Sequence, residues 1–382
     1  MFRIATVGEV ATAGLAGFAP ARYRVGVDVD RPDALLFGAA AESWPGPGPG
    51  AGLPEGLLAV ARAATGAGGW PLAQLSSHGV PFFHGHGAGT NAVCELVLAA
   101  LLMAARGLPE VLAAPVCPQT RSAPLPPGVE LAGRTLGVVG VGAVGSRVAQ
   151  AARSLGMRVL VVDPRLDDGS RQLPAEAIRA GSLNELYAGA DFVTFHVPET
   201  AATRHLFHAG ALSHLRRGAV ILNFSNPAVV DEQALRTGLE QGRISRYLTD
   251  FPRPALDGLP GITQLPHLGE HTREAADAAA VMVAGQLRDF LENGNVQGAL
   301  NLPALMLPRL GACRLTAISR ADARASGRIA VTLGAAGLHI VQMQAAVMDE
   351  LAYAVLDLDG RPDGDCMARL SATSGVHSVR VL

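Results

Sequence analysis

Gly140-Val141-Gly142-Ala143-Val144-Gly145 has the spacing G-x-G-x-x-G, and its chemistry is the easiest to state in this 382-residue chain. Glycines so spaced permit a tight turn and let backbone N–H groups approach a pyrophosphate at a helix N-terminus. With 45 glycines in the chain the string alone would be weak, but its setting strengthens it. The run Leu136-Gly137-Val138-Val139 precedes it, a helical pattern follows, and a second apolar run ends at Asp163, 18 residues after Gly145. A carboxylate there would accept hydrogen bonds from an adenosine ribose and repel a 2′-phosphate, favouring NAD over NADP. Arg165, two residues on, leaves NADP open.

Other residue types exclude chemistry. All 31 basic residues are arginine, so there is no Schiff-base lysine, no phosphate-loop lysine and no lysine general base. A net charge of -2 gives no electrostatic footprint for nucleic acid. His84 with His86, His205 with His208 and His267 with His271 lack a cysteine or acidic partner at zinc spacing, so no metal site is expected. Cys94, Cys117, Cys313 and Cys366 show no C-x-x-C spacing and read as reduced thiols. The longest apolar run, residues 96–105, falls far short of the ~20 residues of a bilayer span, and the N-terminus has no signal-like pattern. A cytoplasmic protein without membrane contact is the expectation.

The elements that must position these residues follow from the apolar patterning. Short runs at 2–7, 23–29, 34–39, 57–61 and 80–83 predict parallel strands, and Gly46 to Gly50 a surface turn. Residues 91–106 predict a buried helix, and the Pro-rich stretch 115–127 a boundary. Beyond it the pattern is βαβ: strands at 135–139, 158–162, 192–196 and 219–223, with a helix at 145–155. A helix at 275–291 ends at Asn293-Gly294. Past Pro308, strand 314–318, helix 327–336, strands 339–347 and 352–358, helix 365–373 and strand 376–382 give the βαββαβ order of a small ferredoxin-like module.

Several segments together carry a family resemblance. Asn91-Ala92-Val93-Cys94-Glu95-Leu96, the glycine string, His196-Val197-Pro198, Val229-Val230-Asp231-Glu232 and Pro266-His267-Leu268-Gly269 stand in the order seen in D-2-hydroxyacid dehydrogenases. Residues 247–252 and 287–295 look like D-3-phosphoglycerate dehydrogenases of the short form with one C-terminal ACT domain. The resemblance runs from about residue 55 to 382. It implies an α/β fold, with a Rossmann NAD domain inserted in a flavodoxin-like substrate domain and a ferredoxin-like ACT domain behind. The implied boundaries are 1–95, 96–272, 273–305 for the return helix, and 310–382.

It also implies roles. His267 would be the acid/base histidine that takes the hydroxyl proton as hydride leaves for nicotinamide. Asp250 would contact the nicotinamide carboxamide. His196, Val197, Pro198, Thr203 and Gly269 would join Gly140, Gly142, Ala143, Val144, Gly145 and Asp163 around NAD. Arg62, with Ala63, Thr65, Gly66 and Asn91, would face a small anionic 2-hydroxy or 2-keto acid, phosphorylated or otherwise dianionic. A homodimer or homotetramer is implied by analogy.

Two catalytic positions depart from the family. Where its substrate-clamping arginine stands, this chain has Asn226; where its histidine-supporting glutamate stands, it has Pro254. Losing either should cost on the order of 10²-fold or more in a normal dehydrogenase. Arg253 and Glu270 are the candidate replacements, as near neighbours in sequence; the alternatives are a changed substrate or an NAD-binding protein without chemistry, acting as a regulator or scaffold. Gly89 stands where some phosphoglycerate dehydrogenases have an asparagine. In the C-terminal module, Ala321-Asp322-Ala323-Arg324 replaces the family's Asn-x-Pro-Gly serine-binding turn and His339 a strand-start asparagine, so a structural or dimerising role is expected there.

Overall fold

In the computed structural model, which describes residues 1–41, 43–44, 52–66, 68–113, 127–167, 169–322 and 324–382, the first apolar runs become five short strands. They are β1 (Phe2–Val7), β2 (Tyr23–Gly26), β3 (Ala34–Phe37), β4 (Ala59–Arg62) and β5 (Phe82–His84), with short helices α1 (Thr12–Leu15) and α2 (Leu72–Ser77) between them. All pair parallel in the order β2-β1-β3-β4-β5, the order of flavodoxin-type sheets. All four residues of β3 are buried, because a central parallel strand is covered on both faces. β1 fills its apolar run, but the other four strands are shorter than theirs: the Leu57 N–H is taken by the Pro54 carbonyl in a turn, so pairing on β4 starts at Ala59. The turn expected at 46–50 and nearly all of the Pro-rich stretch 115–127 lie outside the described residues.

Helix α3 (Thr90–Arg106) and α4 (Leu108–Ala113) lead into a second sheet. Its elements are β6 (Thr135–Val139), α5 (Ala143–Ser154), β7 (Arg158–Val162), β8 (Ile178–Arg179), α6 (Leu183–Gly189), β9 (Phe192–Phe195), α7 (Ala209–Leu212), β10 (Ala219–Asn223), α8 (Glu232–Glu240), β11 (Ile244–Thr249) and β12 (Ile262–Gln264). The seven strands are parallel, in the order β12-β11-β10-β9-β6-β7-β8. Counted from β6, that is the Rossmann order 3-2-1-4-5-6 extended by one strand, and it reverses between β6 and β9. Ligands of open α/β sheets bind at the carboxyl ends of the strands at such a reversal. The buried Thr194 and Asn223 and the all-buried β6, β9 and β10 form the rigid floor beneath it.

The chain then runs through α9 (Arg273–Asn293), whose end is set by Gly294 at φ 70, its N–H on the Phe290 carbonyl at 3.0 Å. The C-terminal elements are β13 (Cys313–Arg320), α10 (Ala325–Ala335), β14 (Ile340–Met348), β15 (Leu351–Leu358), α11 (Gly364–Ser371) and β16 (Val376–Val381). They build an antiparallel sheet in the order β14-β15-β13-β16. A fully buried ion pair crosses it: Arg314 Nε and Nη2 donate to the Asp357 carboxylate at 2.6 and 2.9 Å. Asp357 also accepts from the Leu310 N–H and Gln342.

Contacts divide the described chain into two compact units, Met1–Ala88 with Arg273–Leu382, and Gly89–Thr272. The first division falls at Ala88–Gly89, where the sequence reading set it at 95–96, because residue 96 lies inside the continuous helix α3, which packs on α5 and β10. The C-terminal sheet is grouped with the first one: Ile318, Leu351, Tyr353 and Val355 share a core cluster with α9 and β1. Among the described residues no helix is long and apolar enough to cross a membrane.

Candidate functional site: a dinucleotide cradle and a pinned histidine

The glycine turn lies at the end of β6, where the strand order reverses. Gly140 has φ 89, and a β-carbon on it would lie 2.4 Å from the His196 carbonyl oxygen. On Gly145 a β-carbon would lie 2.0 Å from the Gly140 carbonyl oxygen. Neither position admits a side chain, so the turn closes tightly onto α5. The first N–H groups of α5, from Ala143 on, have no partner within the helix and point outward as an anion cradle. Ser146 Oγ donates to the Val141 carbonyl at 2.8 Å and stiffens the turn.

Asp163 stands at the end of β7 and holds both sides of the cradle. One carboxylate oxygen accepts the Val141 N–H at 2.8 Å, the other the Arg165 N–H at 2.9 Å. Across the reversal, the Val197 side chain and the His196 carbonyl wall the turn at Gly140. Burial pushes the His196 imidazole down to about 3, so the ring is neutral, with Nε2 3.0 Å from Thr194 Oγ1. Thr203 closes the next loop by donating to the Pro198 carbonyl at 2.5 Å.

His267 and Asp250 come together at the ends of β11 and β12. The His267 backbone has φ 55, a left-handed conformation that costs a non-glycine residue about 1–3 kcal/mol and collects at functional sites. Its N–H is shared between the Asp250 and Leu265 carbonyls, each at 3.0 Å, and its ring meets Phe251 edge-on at 5.4 Å. The Asp250 side chain is buried; Oδ2 accepts the Gly269 N–H at 2.9 Å, while Oδ1 has no hydrogen-bond partner among the described residues. Burial raises the Asp250 carboxyl above its ordinary range, opposed by the nearby His267 and by the Gly269 N–H. A buried acceptor without a donor is costly, so Oδ1 is suited to an incoming N–H.

The two departures from the family are both turn-forming residues. Asn226 caps the 3₁₀ turn Pro227–Val229, its Oδ1 accepting the Ala228 N–H at 2.8 Å, and its own carbonyl is held by Asn223 Nδ2 at 2.8 Å. Pro254 opens the 3₁₀ turn Pro254–Leu256 directly after Arg253. The Arg253 backbone is clamped by Gln264, and its guanidinium faces Glu232 at 3.8 Å. The pair borders a small cleft lined also by Pro227, Tyr247 and Phe251. Glu270 lies against Gly89, its Cγ 2.5 Å from where a β-carbon would stand. An asparagine at 89 would therefore displace the Glu270 side chain. Asn91, on the first turn of α3, donates to Glu95 at 2.6 Å and accepts from Arg147 at 3.5 Å.

In the other unit, Arg62 ends β4 beside His84 on β5. Its Nη1 donates to the Thr65 and Gly66 carbonyls at 3.2 and 3.4 Å, and its guanidinium lies 5.9 Å from the Trp70 ring centre. Thr65 Oγ1 donates to the Gly85 carbonyl, and Ala63 is buried beneath. His84 Nδ1 accepts the Gly66 N–H at 3.2 Å and its ring stacks on exposed His86 at 5.5 Å. Among the described residues, no group of three or more His, Cys, Asp or Glu side chains is arranged to hold a metal ion.

The family model for the NAD-binding domain of D-isomer-specific 2-hydroxyacid dehydrogenases matches residues 98–269, the unit that carries the glycine turn, Asp163, Asp250 and His267. Residues 98–269 carry the NAD-binding domain of the D-2-hydroxyacid dehydrogenase family. Among curated relatives, the D-3-phosphoglycerate dehydrogenase of Methanocaldococcus jannaschii is 30% identical over 264 residues, covering 67% of this chain and 50% of that one. The Escherichia coli D-3-phosphoglycerate dehydrogenase is 28% identical over 351 residues, 86% of this chain and 82% of that one. The chain thus spans about half the length of the archaeal relative and about four fifths of the bacterial one. Among solved structures, the TT0316 protein of Thermus thermophilus matches with a TM-score of 0.62 at 25% identity, over 78% of this chain and all of that one.

Sequence reasoning missed two features. The pairing of Arg253 with Glu232 brings together a loop residue and the first residue of α8, 21 positions apart in sequence. The placement of Arg171 beside the glycine turn belongs to no motif, and only a lysine-free chain's demand for arginine as phosphate partner hinted at such a residue.

Proposed function

We propose that this chain is a nicotinamide-dependent oxidoreductase that moves a hydride between NAD and a 2-hydroxy or 2-keto acid, resembling D-3-phosphoglycerate dehydrogenase. The observation that carries this is His267 held in a strained conformation by the carbonyl of buried Asp250, on the sheet that bears the glycine turn. The cofactor fits the residues present: the turn leaves no room for side chains at Gly140 and Gly145, and Asp250 Oδ1 awaits a donor such as a carboxamide N–H. The nicotinamide, when bound, supplies or accepts the hydride. His267 takes the proton of the substrate hydroxyl on its imidazole, or returns it to the carbonyl oxygen in the reverse direction. Asp250 orients this end of the site through the Gly269 N–H and its own carbonyl. Asp163 favours NAD over NADP, since its carboxylate would meet a 2′-phosphate with like charge. Arg62 is the cation proposed for the anionic tail of the substrate, with Ala63, Thr65 and Gly66 shaping its loop.

The N-terminal sheet with α9 acts in this reading as the substrate domain and Gly89–Thr272 as the NAD domain. The C-terminal sheet is ferredoxin-like and ACT-like. Its first helix begins just past Asp322, whose carboxylate is engaged by Arg328 at 2.7 Å and the Arg324 N–H at 2.9 Å. That favours a structural or dimer-forming role over serine binding, in a cytoplasmic homodimer or homotetramer.

A second reading, an NAD-binding protein without chemistry, is favoured by one observation: Asn226 and Pro254 both serve their own turns. NADH oxidation with a panel of 2-keto acids, including phosphohydroxypyruvate, separates the two. Turnover abolished in His267→Ala supports the enzyme. NADH binding with no turnover on any acid supports the silent protein.

A further inference from the structure

Backbone N–H groups at a helix N-terminus seat a pyrophosphate, and the turn itself carries no charge: positions 140–145 are glycine, valine and alanine. A cation beside the turn comes from elsewhere in the chain. A β-carbon built on Gly142 would have as its three nearest neighbours the Nη1, Nη2 and Cζ atoms of Arg171, at 3.4, 3.6 and 3.7 Å. Gly142 is the second glycine of the string, the one whose bare backbone lets the pyrophosphate approach. The guanidinium of Arg171 therefore lies over the face of the turn that the phosphates use.

The loop after β7 is built to hold it there. Asp163 caps the 3₁₀ turn Pro164–Leu166, the Arg171 N–H returns to the Arg165 carbonyl at 3.1 Å, and the Ala180 N–H bonds the Val161 carbonyl where the loop rejoins the sheet. Three neighbouring arginines are engaged elsewhere: Arg153 pairs with Glu176, Arg179 with Asp167, and Arg147 bonds Asn91. Among the described residues no hydrogen bond or ion pair holds the Arg171 guanidinium. An unpaired fork of N–H donors over an N–H-lined cradle is suited to a bidentate phosphate contact.

We propose that Arg171 is the pyrophosphate-binding cation of this chain, a residue that positions the dinucleotide without touching the reacting atoms. This rests on the dinucleotide reading above. The adenosine 2′-position is a second phosphate site within reach of a loop like this one, but the contact is to Gly142 and the ribose end is governed by Asp163.

Calorimetric titration of the full chain with ADP-ribose, adenosine and 2′,5′-ADP tests it. In Arg171→Ala, ADP-ribose affinity should fall on the order of tenfold to a hundredfold, the loss of a charge-assisted contact. Adenosine should bind as in the parent, and Arg171→Lys should recover part of the ADP-ribose affinity. ADP-ribose affinity unchanged in Arg171→Ala overturns the assignment, as does an equal loss for adenosine, which would mark a folding role. A loss confined to 2′,5′-ADP also overturns it. If the parent binds neither ADP-ribose nor adenosine, the dinucleotide reading falls, and this inference with it.

Discussion

His84 is buried and accepts the Gly66 N–H on Nδ1, so its imidazole must stay neutral in the folded chain. Burial, then the nearby His86 and Arg62, push it from its ordinary 6.5 down to about 4. Between those two values the unfolded chain binds a proton that the folded chain does not, so stability must rise with pH across that window. The contribution is complete above pH 6.5, is lost as pH falls toward 4, and changes no further below it. At 1.36 kcal/mol per pH unit the full loss is about 3 kcal/mol, of which about 2 kcal/mol is reached by pH 5. Protonation on Nδ1 would also turn the acceptor into a donor aimed at the Gly66 N–H, loosening the loop whose carbonyls hold Arg62. Denaturant unfolding at pH 7 and pH 5 should therefore show a drop about 2 kcal/mol larger in the parent than in His84→Asn, which keeps an acceptor but does not titrate. The Cε1–H resonance of His84 should titrate near 4. A midpoint near 6.5, or identical pH slopes in the two proteins, refutes the reasoning.

Gly145→Ala should abolish dinucleotide binding in NADH fluorescence titrations, because its β-carbon would fall 2.0 Å from a backbone oxygen that cannot yield without opening the turn. Asn226→Arg should lose about 1 kcal/mol of stability with the cap to Ala228, yet raise kcat/KM for 2-keto acid reduction at least tenfold; steady-state assays showing no rise would mean the loop no longer presents that position to substrate. Asp357→Ala leaves Arg314 buried without its partner and should cost about 3–5 kcal/mol in unfolding experiments, with ADP-ribose affinity of the Gly89–Thr272 unit unchanged.

What the sequence made legible was local. The strands at 2–7, 135–139, 158–162 and 219–223 stand where the apolar runs put them, because buried parallel strands are continuous apolar runs. The glycine string was legible for a similar reason: a strand, a turn and a helix adjacent in sequence make the cradle without long-range help. β11 escaped notice as a strand, since Ser245 and Arg246 interrupt its apolar pattern while Tyr247 to Thr249 are buried. The short helices α6 and α8 escaped for lack of length. The pinning of His267 could not be seen either. The acid/base role proposed for it came from family resemblance, whereas the φ of 55 and the shared bonds to Asp250 and Leu265 exist only once β11 and β12 pair. Arg171 shows the same limit, for its guanidinium meets a glycine 29 positions earlier.

The altered positions share a physical logic. Asn226 and Pro254 follow adjacent parallel strands, β10 and β11, and each begins a 3₁₀ turn, one as cap and one as its first residue. Asparagine satisfies an otherwise orphaned N–H, and proline pre-sets the backbone while its missing N–H costs nothing. Each change is worth about 1 kcal/mol of loop stability, against a catalytic loss on the order of 10²-fold if the family's arginine or glutamate were still needed there. The residues proposed to face the dinucleotide keep the family's types: Gly140, Gly145 and Asp163 at the turn, and Asp250 beside His267. In the proposed site, the two altered catalytic positions thus lie on the side assigned to substrate, and on that reading cofactor affinity and turnover can vary independently. A protein in which NADH binds tightly but common 2-keto acids do not turn over would not contradict the fold. It would mean that Arg253, held to Glu232 at 3.8 Å, is not released to replace the lost arginine, and the ion pair rather than the substitution at 226 would be the place to intervene.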